Sequence, residues 1–119
     1  IYRKARKRGK KALKKGDDVR FHDWRKTVKQ LFYCLPLIHD GERIRSYRKT
    51  LKKLAKILGN YQDLTVLKEV IETEPELRGS AESRQLLFDL MAEKKAVYRK
   101  RCKKLYDRLF AEKDLIDTL

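Results

Sequence analysis

The chain has 119 residues, of which 41% are hydrophobic and 41% are charged, and its formal net charge is +15. This hydrophobic share excludes an intrinsically disordered chain, and the length suits a single domain over residues 1–119 with its own core. No apolar run approaches the roughly 20 residues that span a bilayer, and we expect no signal peptide. Cys34 and Cys102 are too few for a disulfide framework, so we expect a cytoplasmic protein with reduced thiols. Because Ile1 already lies in a helical pattern, we expect a fragment of a longer chain.

The positive charge is concentrated in the first half of the chain. Residues 1–58 contain 20 Lys/Arg and 5 Asp/Glu, whereas residues 59–119 contain 12 of each. Charge that only keeps a protein soluble has no reason to be segregated in this way, whereas a surface that binds an anion does. The composition therefore predicts an anionic partner for the first half.

The first predicted helix covers residues 2–15, which are rich in Arg, Lys, Ala and Leu and contain no acidic residue. Gly16 is placed to end this helix, and Asp17 or Asp18 can cap the next one, where negative charge also suits the helix dipole. The apolar face of this first helix is thin. We therefore expect it to depend on packing against its neighbours.

The second predicted helix, residues 19–38, has one apolar and one basic face. The apolar face repeats at the helical period through Trp24, Val28, Leu31 and Leu35. The opposite face carries only cations and potential hydrogen-bond donors, which are His22, Arg25, Lys26, Lys29 and Tyr33. Like charges at i and i+4 repel each other, so this layout costs helix stability unless an anion lies along it. Pro36 predicts a kink or an early end of the helix.

A third helix is predicted from Glu42 or Arg43, after a turn at residues 39–41. The sequence leaves open whether Gly59 and Asn60 divide this helix from a further one over residues 61–73. A loop over residues 74–80 precedes a last helix at about residues 81–110, whose mixed surface includes a basic cluster. No period-2 alternation indicates a strand. The sequence therefore predicts an all-α fold, an antiparallel four-helix bundle with short connections.

Two segments of the chain carry a family resemblance. The first is His22-Asp23-Trp24-Arg25-Lys26, continued by Lys29 and Tyr33, and the second is Leu58-Gly59-Asn60-Tyr61-Gln62-Asp63-Leu64-Thr65-Val66-Leu67. In the same order, they resemble the histidine helix and the Leu-Gly-x-x-x-Asp-Leu-x-x-Leu signature of the CHAD family, the conserved-histidine α-helical domain. Two residues depart from the family pattern. Pro36 lies where the family helix usually continues, and Phe32 occupies a position that is often basic.

The resemblance implies a fold of two four-helix bundles with pseudo-twofold symmetry. This chain is similar to one bundle, and more to the C-terminal half than to the N-terminal half. The resemblance also implies non-catalytic binding of inorganic polyphosphate along a basic groove, and it is compatible with association with polyphosphate granules. One face would then pack against the missing half or against a second copy of the chain.

We predict that polyphosphate binds to basic stripes on the first three helices. Arg would bind phosphate oxygens through two N–H donors, and Lys would act as a mobile point charge. The predicted residues are His22, Arg25, Lys26, Lys29 and Tyr33 on the second helix, Arg3, Arg6, Lys7 and Lys10 on the first, and Arg45, Arg48, Lys49, Lys52 and Lys56 on the third. Tyr33 has a half-buried packing role as an equal alternative. Asp63 and Gly59 are predicted to support the site structurally, Asp63 by capping a helix or by orienting a basic residue.

Other functions compete with this prediction. Nucleic acid is the second candidate ligand, but the aromatic residues that would stack on bases lie toward the core and leave only Tyr33 on the basic stripes. Docking of an acidic protein partner is a further alternative. We predict no cofactor and no metal site, since His39 is the only other histidine and is expected in a turn. No nucleophile–base pair, carboxylate cluster or phosphate-binding glycine loop indicates an enzyme.

Overall fold

The computed structural model describes residues 1–38, 41–77 and 79–111, and these residues form four α-helices without a strand. The helices are α1 (Tyr2–Lys15), α2 (Asp18–Ile38), α3 (Glu42–Thr73) and α4 (Ala81–Leu109), with a short 3₁₀ helix at Pro75–Leu77. The all-α bundle predicted from the sequence is confirmed. The turn predicted at His39 and Asp40 lies outside the described residues.

The short connections make each helix antiparallel to the next one. Within the described residues, α2 packs against α1 and α3, and α4 packs against α3 and α1, whereas the backbones of α1 and α3 do not approach each other. Viewed down the bundle, α1 and α3 therefore occupy diagonal corners. The core between the four helices contains Trp24, Phe21, Leu51, Leu54 and Tyr61, with Cys102 and Leu105 from α4.

The cap residues define the corner between α1 and α2. Gly16 adopts the left-handed conformation, at φ 69°, and its N–H donates to the carbonyl of Ala12 at 2.7 Å. Asp17 caps α2, because its Oδ1 accepts a hydrogen bond from the backbone N–H of Arg20 at 2.8 Å. The side chain of Asp18, the other candidate cap, instead accepts hydrogen bonds from Tyr61 and Lys95.

Gly9 allows α1, α2 and α4 to approach closely. A Cβ atom at this position would lie 2.7 Å from Cε2 of Trp24 and 2.8 Å from Cδ2 of Tyr106. Such distances are far inside van der Waals contact. The glycine lowers the intrinsic helix propensity of α1, but it makes room for the largest side chain of the core.

α3 continues through Gly59 without a break and has 32 residues. Because α1 and α2 are shorter, the last part of α3 has neither of them beside it. Its last part and the first part of α4 form a distal hairpin, defined here as residues 62–93, that extends beyond the α1–α2 corner. The long dimension of the molecule is 55 Å, against 24 and 19 Å for the others. Ile71 and Met91 are buried in the hairpin, but they lie outside the main core cluster.

The helical period predicts that Leu67, Val70 and Ile71 point inward, which is confirmed for Ile71 and wrong for the other two. Leu67, Val70, Leu87 and Leu90 are all exposed, the last to 53%. The helical period places them correctly on an apolar face. That face is open because α1 and α2 end before they reach it.

Candidate functional site

The basic face of α2 is built as the helical period predicts. Lys26 and Lys29 are exposed, and neither forms a salt bridge with any described residue. Tyr33 continues the stripe one turn later with 64% of its surface exposed, and its ring packs edge-on against Phe32 at 5.3 Å between centroids. Two cations and a phenol are therefore available to a ligand along one side of the helix.

His22 and Arg25 lie deeper in the same face. Both side chains are half-buried, and Nδ1 of His22 and Nε of Arg25 are buried without a hydrogen-bond partner among the described residues. A buried polar atom left in this state costs roughly 1–3 kcal/mol. Such atoms beside a surface are the groups that ordered water or a ligand's oxygen usually satisfies.

Arg25 connects the two sequence motifs. Its guanidinium lies over Gly59 of α3, and a Cβ atom there would be 3.5 Å from Nη2 of Arg25. That distance is ordinary contact, so an alanine would fit, but a longer side chain would push the guanidinium away. Gly59 therefore leaves room for the Arg25 guanidinium on α3, and its role in supporting the site stays a prediction.

Asp63 does not cap a helix, because α3 continues unbroken through this position. That part of the prediction is wrong. Asp63 is exposed, and it forms no salt bridge with a basic residue of the described chain.

Arg48 has a structural partner on α2. Pro36 has no backbone N–H, so the carbonyl of Phe32, four residues earlier, loses its helical hydrogen bond. Nε of Arg48 donates to this carbonyl at 3.0 Å, and the guanidinium lies 4.1 Å from the centroid of the Phe32 ring. Arg48 therefore contacts both the carbonyl and the ring of Phe32, and it replaces the donor that Pro36 lacks. Pro36 neither breaks nor ends α2, which continues to Ile38.

Arg6 also has a structural partner. Its Nε donates to the carbonyl of Phe110 at 3.1 Å, near the end of α4. The neighbouring carbonyl of Leu109 accepts from the hydroxyl groups of Tyr47 at 2.9 Å and Tyr2 at 3.5 Å. Free carbonyls at a helix end need such donors. Arg6 and Arg48 thus use one N–H each to hold helices together.

The remaining predicted residues of α1 and α3 divide among different sides of the bundle. Lys10 lies in a groove between α1 and α4, whereas Lys56 lies in a groove between α3 and α4. Exposed positions on the two helices are occupied by Arg3, Lys7, Arg45, Lys49 and Lys52. Because α1 and α3 are diagonal, the first three helices form a basic surface around the bundle and not one groove.

α4 supplies basic residues that the sequence prediction left out. Its cations line both grooves, which measure about 680 Å³ beside α1 and about 650 Å³ beside α3. The signal was present in the sequence, because residues 94–111 contain eight Lys/Arg and one acidic residue. The second half of the chain has no net charge only because residues 62–93 contain three Lys/Arg and eight Asp/Glu. The fold separates the two groups, with the acidic one on the distal hairpin.

Asp18 holds the α1–α2 corner against the long helices. Its Oδ1 accepts hydrogen bonds from the hydroxyl of Tyr61 at 2.7 Å and from Nζ of Lys95 at 3.1 Å. Partial burial opposes the charged form of Asp18, but these two donors and the nearby positive charges lower its pKa on balance. Burial and the hydrogen bond to Asp18 raise the pKa of Tyr61 to about 12. This network lies where the basic bundle meets the acidic hairpin.

The described residues include two free thiols but no cluster of metal-binding side chains. No three His, Cys, Asp or Glu side chains of the described residues form a group that could hold a metal ion. His39 lies outside the described residues. Cys34 and Cys102 are both free, and burial raises the pKa of the Cys102 thiol to about 12. No described helix has the length and apolar character needed to cross a membrane.

A comparison with models of known protein families identifies the family of this chain. The family model described as the CHAD domain matches residues 1–72, which is more than half of the chain and contains both sequence motifs. The protein therefore belongs to the CHAD domain family, whose members are helical, are associated in general with polyphosphate binding and are not known for catalysis. Searches of curated proteins and of solved structures each gave no match. α4 lies outside the matched residues.

Proposed function

We propose that this domain binds inorganic polyphosphate without catalysing its turnover. The observation that carries the proposal is the face of α2, where two exposed, unpaired lysines lie beside two half-buried side chains with unsatisfied nitrogen atoms. A linear polyanion along this face would relieve the repulsion between neighbouring cations. Family membership supplies the class of ligand.

The roles of the individual residues follow from their positions. Lys26 and Lys29 would contact successive phosphate groups as mobile point charges. Arg25 would use its Nη donors from a fixed position over Gly59, and His22 would donate from the helix start. Arg48, whose Nε is held by the Phe32 carbonyl, would still present its Nη donors. The surface would thus combine two fixed arginines with several mobile lysines.

Polyphosphate is favoured over nucleic acid by the placement of the aromatic rings. Proteins that bind single strands without sequence preference usually offer aromatic side chains on which bases stack. Trp24 and Phe21 are buried, and Phe32 is covered by Arg48, so Tyr33 is the exposed ring of the α2 face. Phosphate contacts alone would bind both polymers. Because polyphosphate has no bases, the lack of exposed aromatic rings does not weaken its binding.

A competition assay tests the proposal. The protein is bound to long-chain polyphosphate and challenged with single-stranded and duplex nucleic acid at matched charge concentration. We expect polyphosphate to be displaced only at a large excess of either nucleic acid. Equal competition would mean a general polyanion surface and would refute the proposed ligand.

Two variants show whether the α2 face is responsible. Arg25→Ala/Lys29→Ala removes a fixed and a mobile contact, and Lys26→Ala/Lys29→Ala changes exposed residues alone, so that folding is not at risk. Lys68→Ala/Arg84→Ala is the matched control, because it removes the same charge from the distal hairpin. Both α2 variants should lose affinity while the control keeps it. Equal losses in all three would place the binding elsewhere and contradict the proposed site.

A further inference from the structure

The groove between α1 and α4 has a cationic rim and an apolar floor. Leu13 and Tyr106 form the floor, and the rim consists of Lys10, Lys14, Arg99, Lys100, Lys103 and Lys104. No acidic residue is among the residues that line this groove. Lys103 is the one rim residue with a described salt bridge, formed with Asp107 one turn later at 2.7 Å.

A second groove continues the positive charge across α4. Between α3 and α4 it is lined by Lys53, Lys56, Arg101, Lys104 and Arg108 around Leu105 and Ile57. Lys104 belongs to both grooves. The exposed side of α4 is therefore a basic ridge with a groove on each flank, and one lysine is common to the two.

The arrangement costs stability in the absence of an anion. Lys100 and Lys104 are four residues apart, neither forms a salt bridge with a described residue, and like charges at this spacing repel each other along a helix. In addition, Nε of Arg99 is buried and has no hydrogen-bond partner among the described residues. This atom is the counterpart on α4 of the unsatisfied nitrogens of His22 and Arg25 on α2.

The extent of the ridge indicates the kind of anion. From Arg99 to Arg108 the helix rises about 14 Å, at roughly 1.5 Å per residue. One small phosphate ion would neutralise only a few of these cations, whereas a linear chain of phosphates carries charge along its whole length. The acidic hairpin would repel such a chain at one end of the ridge.

We infer that α4 forms a second track for polyphosphate, in which Lys104 joins the α1/α4 groove to the α3/α4 groove. This inference rests on the proposed function for the identity of the ligand. It adds a helix outside the matched part of the family model, and it makes long chains better ligands than short ones. A chain that follows both α2 and α4 contacts more cations than a chain that follows either one.

The test compares double variants, each of which removes two basic side chains. Lys100→Ala/Lys104→Ala removes two cations of the ridge, Lys26→Ala/Lys29→Ala removes two cations of α2, and Lys68→Ala/Arg84→Ala is the hairpin control. Affinity for long-chain polyphosphate and for tripolyphosphate is measured at several salt concentrations. Unchanged helical circular dichroism and melting temperature verify the fold of each variant.

The α4 variant should lose affinity for the long chain by roughly tenfold, and its plot of log affinity against log salt should become shallower by about two units. The loss for tripolyphosphate should be smaller, because a short chain needs only one track. An α4 variant that binds the long chain like the hairpin control would overturn the inference while leaving the proposed function intact. Wild-type protein that does not bind polyphosphate would instead refute the proposed function, and the inference with it.

Discussion

The pair formed by Pro36 and Arg48 predicts a measurable coupling. Pro36 leaves the carbonyl of Phe32 without its helical donor, and Arg48 replaces that donor from the neighbouring helix. Removing Arg48 should therefore cost more when Pro36 is present than when residue 36 carries an N–H. The coupling can be measured with the single variants Arg48→Ala and Pro36→Ala and with the double variant.

The magnitudes follow from the contacts. In the wild-type background, Arg48→Ala leaves the Phe32 carbonyl unpaired and removes a charge-assisted hydrogen bond, which together cost roughly 2–3 kcal/mol. The stacking of the guanidinium on the Phe32 ring adds roughly 0.5–1 kcal/mol. In the Pro36→Ala background the backbone N–H of residue 36 satisfies the carbonyl, so only about 1 kcal/mol of the loss should remain. The coupling free energy is then about 1.5–3 kcal/mol.

Urea unfolding provides the assay, and Trp24, the single tryptophan, reports on the core by fluorescence. Lys49→Ala is the control, because this exposed neighbour of Arg48 has no described partner and should shift the midpoint little. Losses that add within about 0.5 kcal/mol would refute the reasoning, since independent sites behave in that way.

Three further predictions concern packing, pH and thiol reactivity. Gly9→Ala should lower the free energy of unfolding by about 1–2 kcal/mol in urea melts, because overpacking against Trp24 and Tyr106 outweighs the gain of about 1 kcal/mol in helix propensity; a more stable variant would contradict this packing. Asp18→Asn should destabilise the protein at neutral pH. The pKa of Asp18 is lowered on folding, so the charged carboxylate stabilises the fold above its ordinary pKa and this contribution disappears as the pH falls below about 4. The difference in stability between variant and wild type should therefore shrink in acid. A difference that stays constant with pH would contradict this role of Asp18. A thiol reagent should label Cys34 before Cys102 in the native protein, because Cys102 is buried and its pKa is raised to about 12; equal rates without denaturant would show that α4 opens readily.

Local signals account for the parts of the fold that the sequence predicted well. Gly16 ends α1 and Asp17 caps α2, since these residues act on backbone groups within one helical turn. The faces of α2 followed equally from the period of its residues. Family resemblance implied the ligand class and the binding residues of α2, and those assignments stay predictions because no contact in the structure tests them.

The parts that the sequence could not predict depend on which helices meet. The exposure of Leu67 and Leu90 depends on the lengths of α1 and α2, which end before the hairpin. The division of the basic residues over three sides follows from the diagonal placement of α1 and α3. The roles of Arg6 and Arg48 as donors to distant carbonyls likewise require tertiary geometry.

The most direct test of the central claim is the salt dependence of polyphosphate binding to the wild-type protein and to Lys26→Ala/Lys29→Ala. Each cation that contacts a phosphate releases counterions, so the slope of log affinity against log salt counts the contacts. If polyphosphate binds to the α2 face, the slope should be steep for the wild type and shallower by about two units for the variant. A variant with the wild-type slope and affinity would show that the α2 lysines do not touch the ligand, and it would contradict the claim.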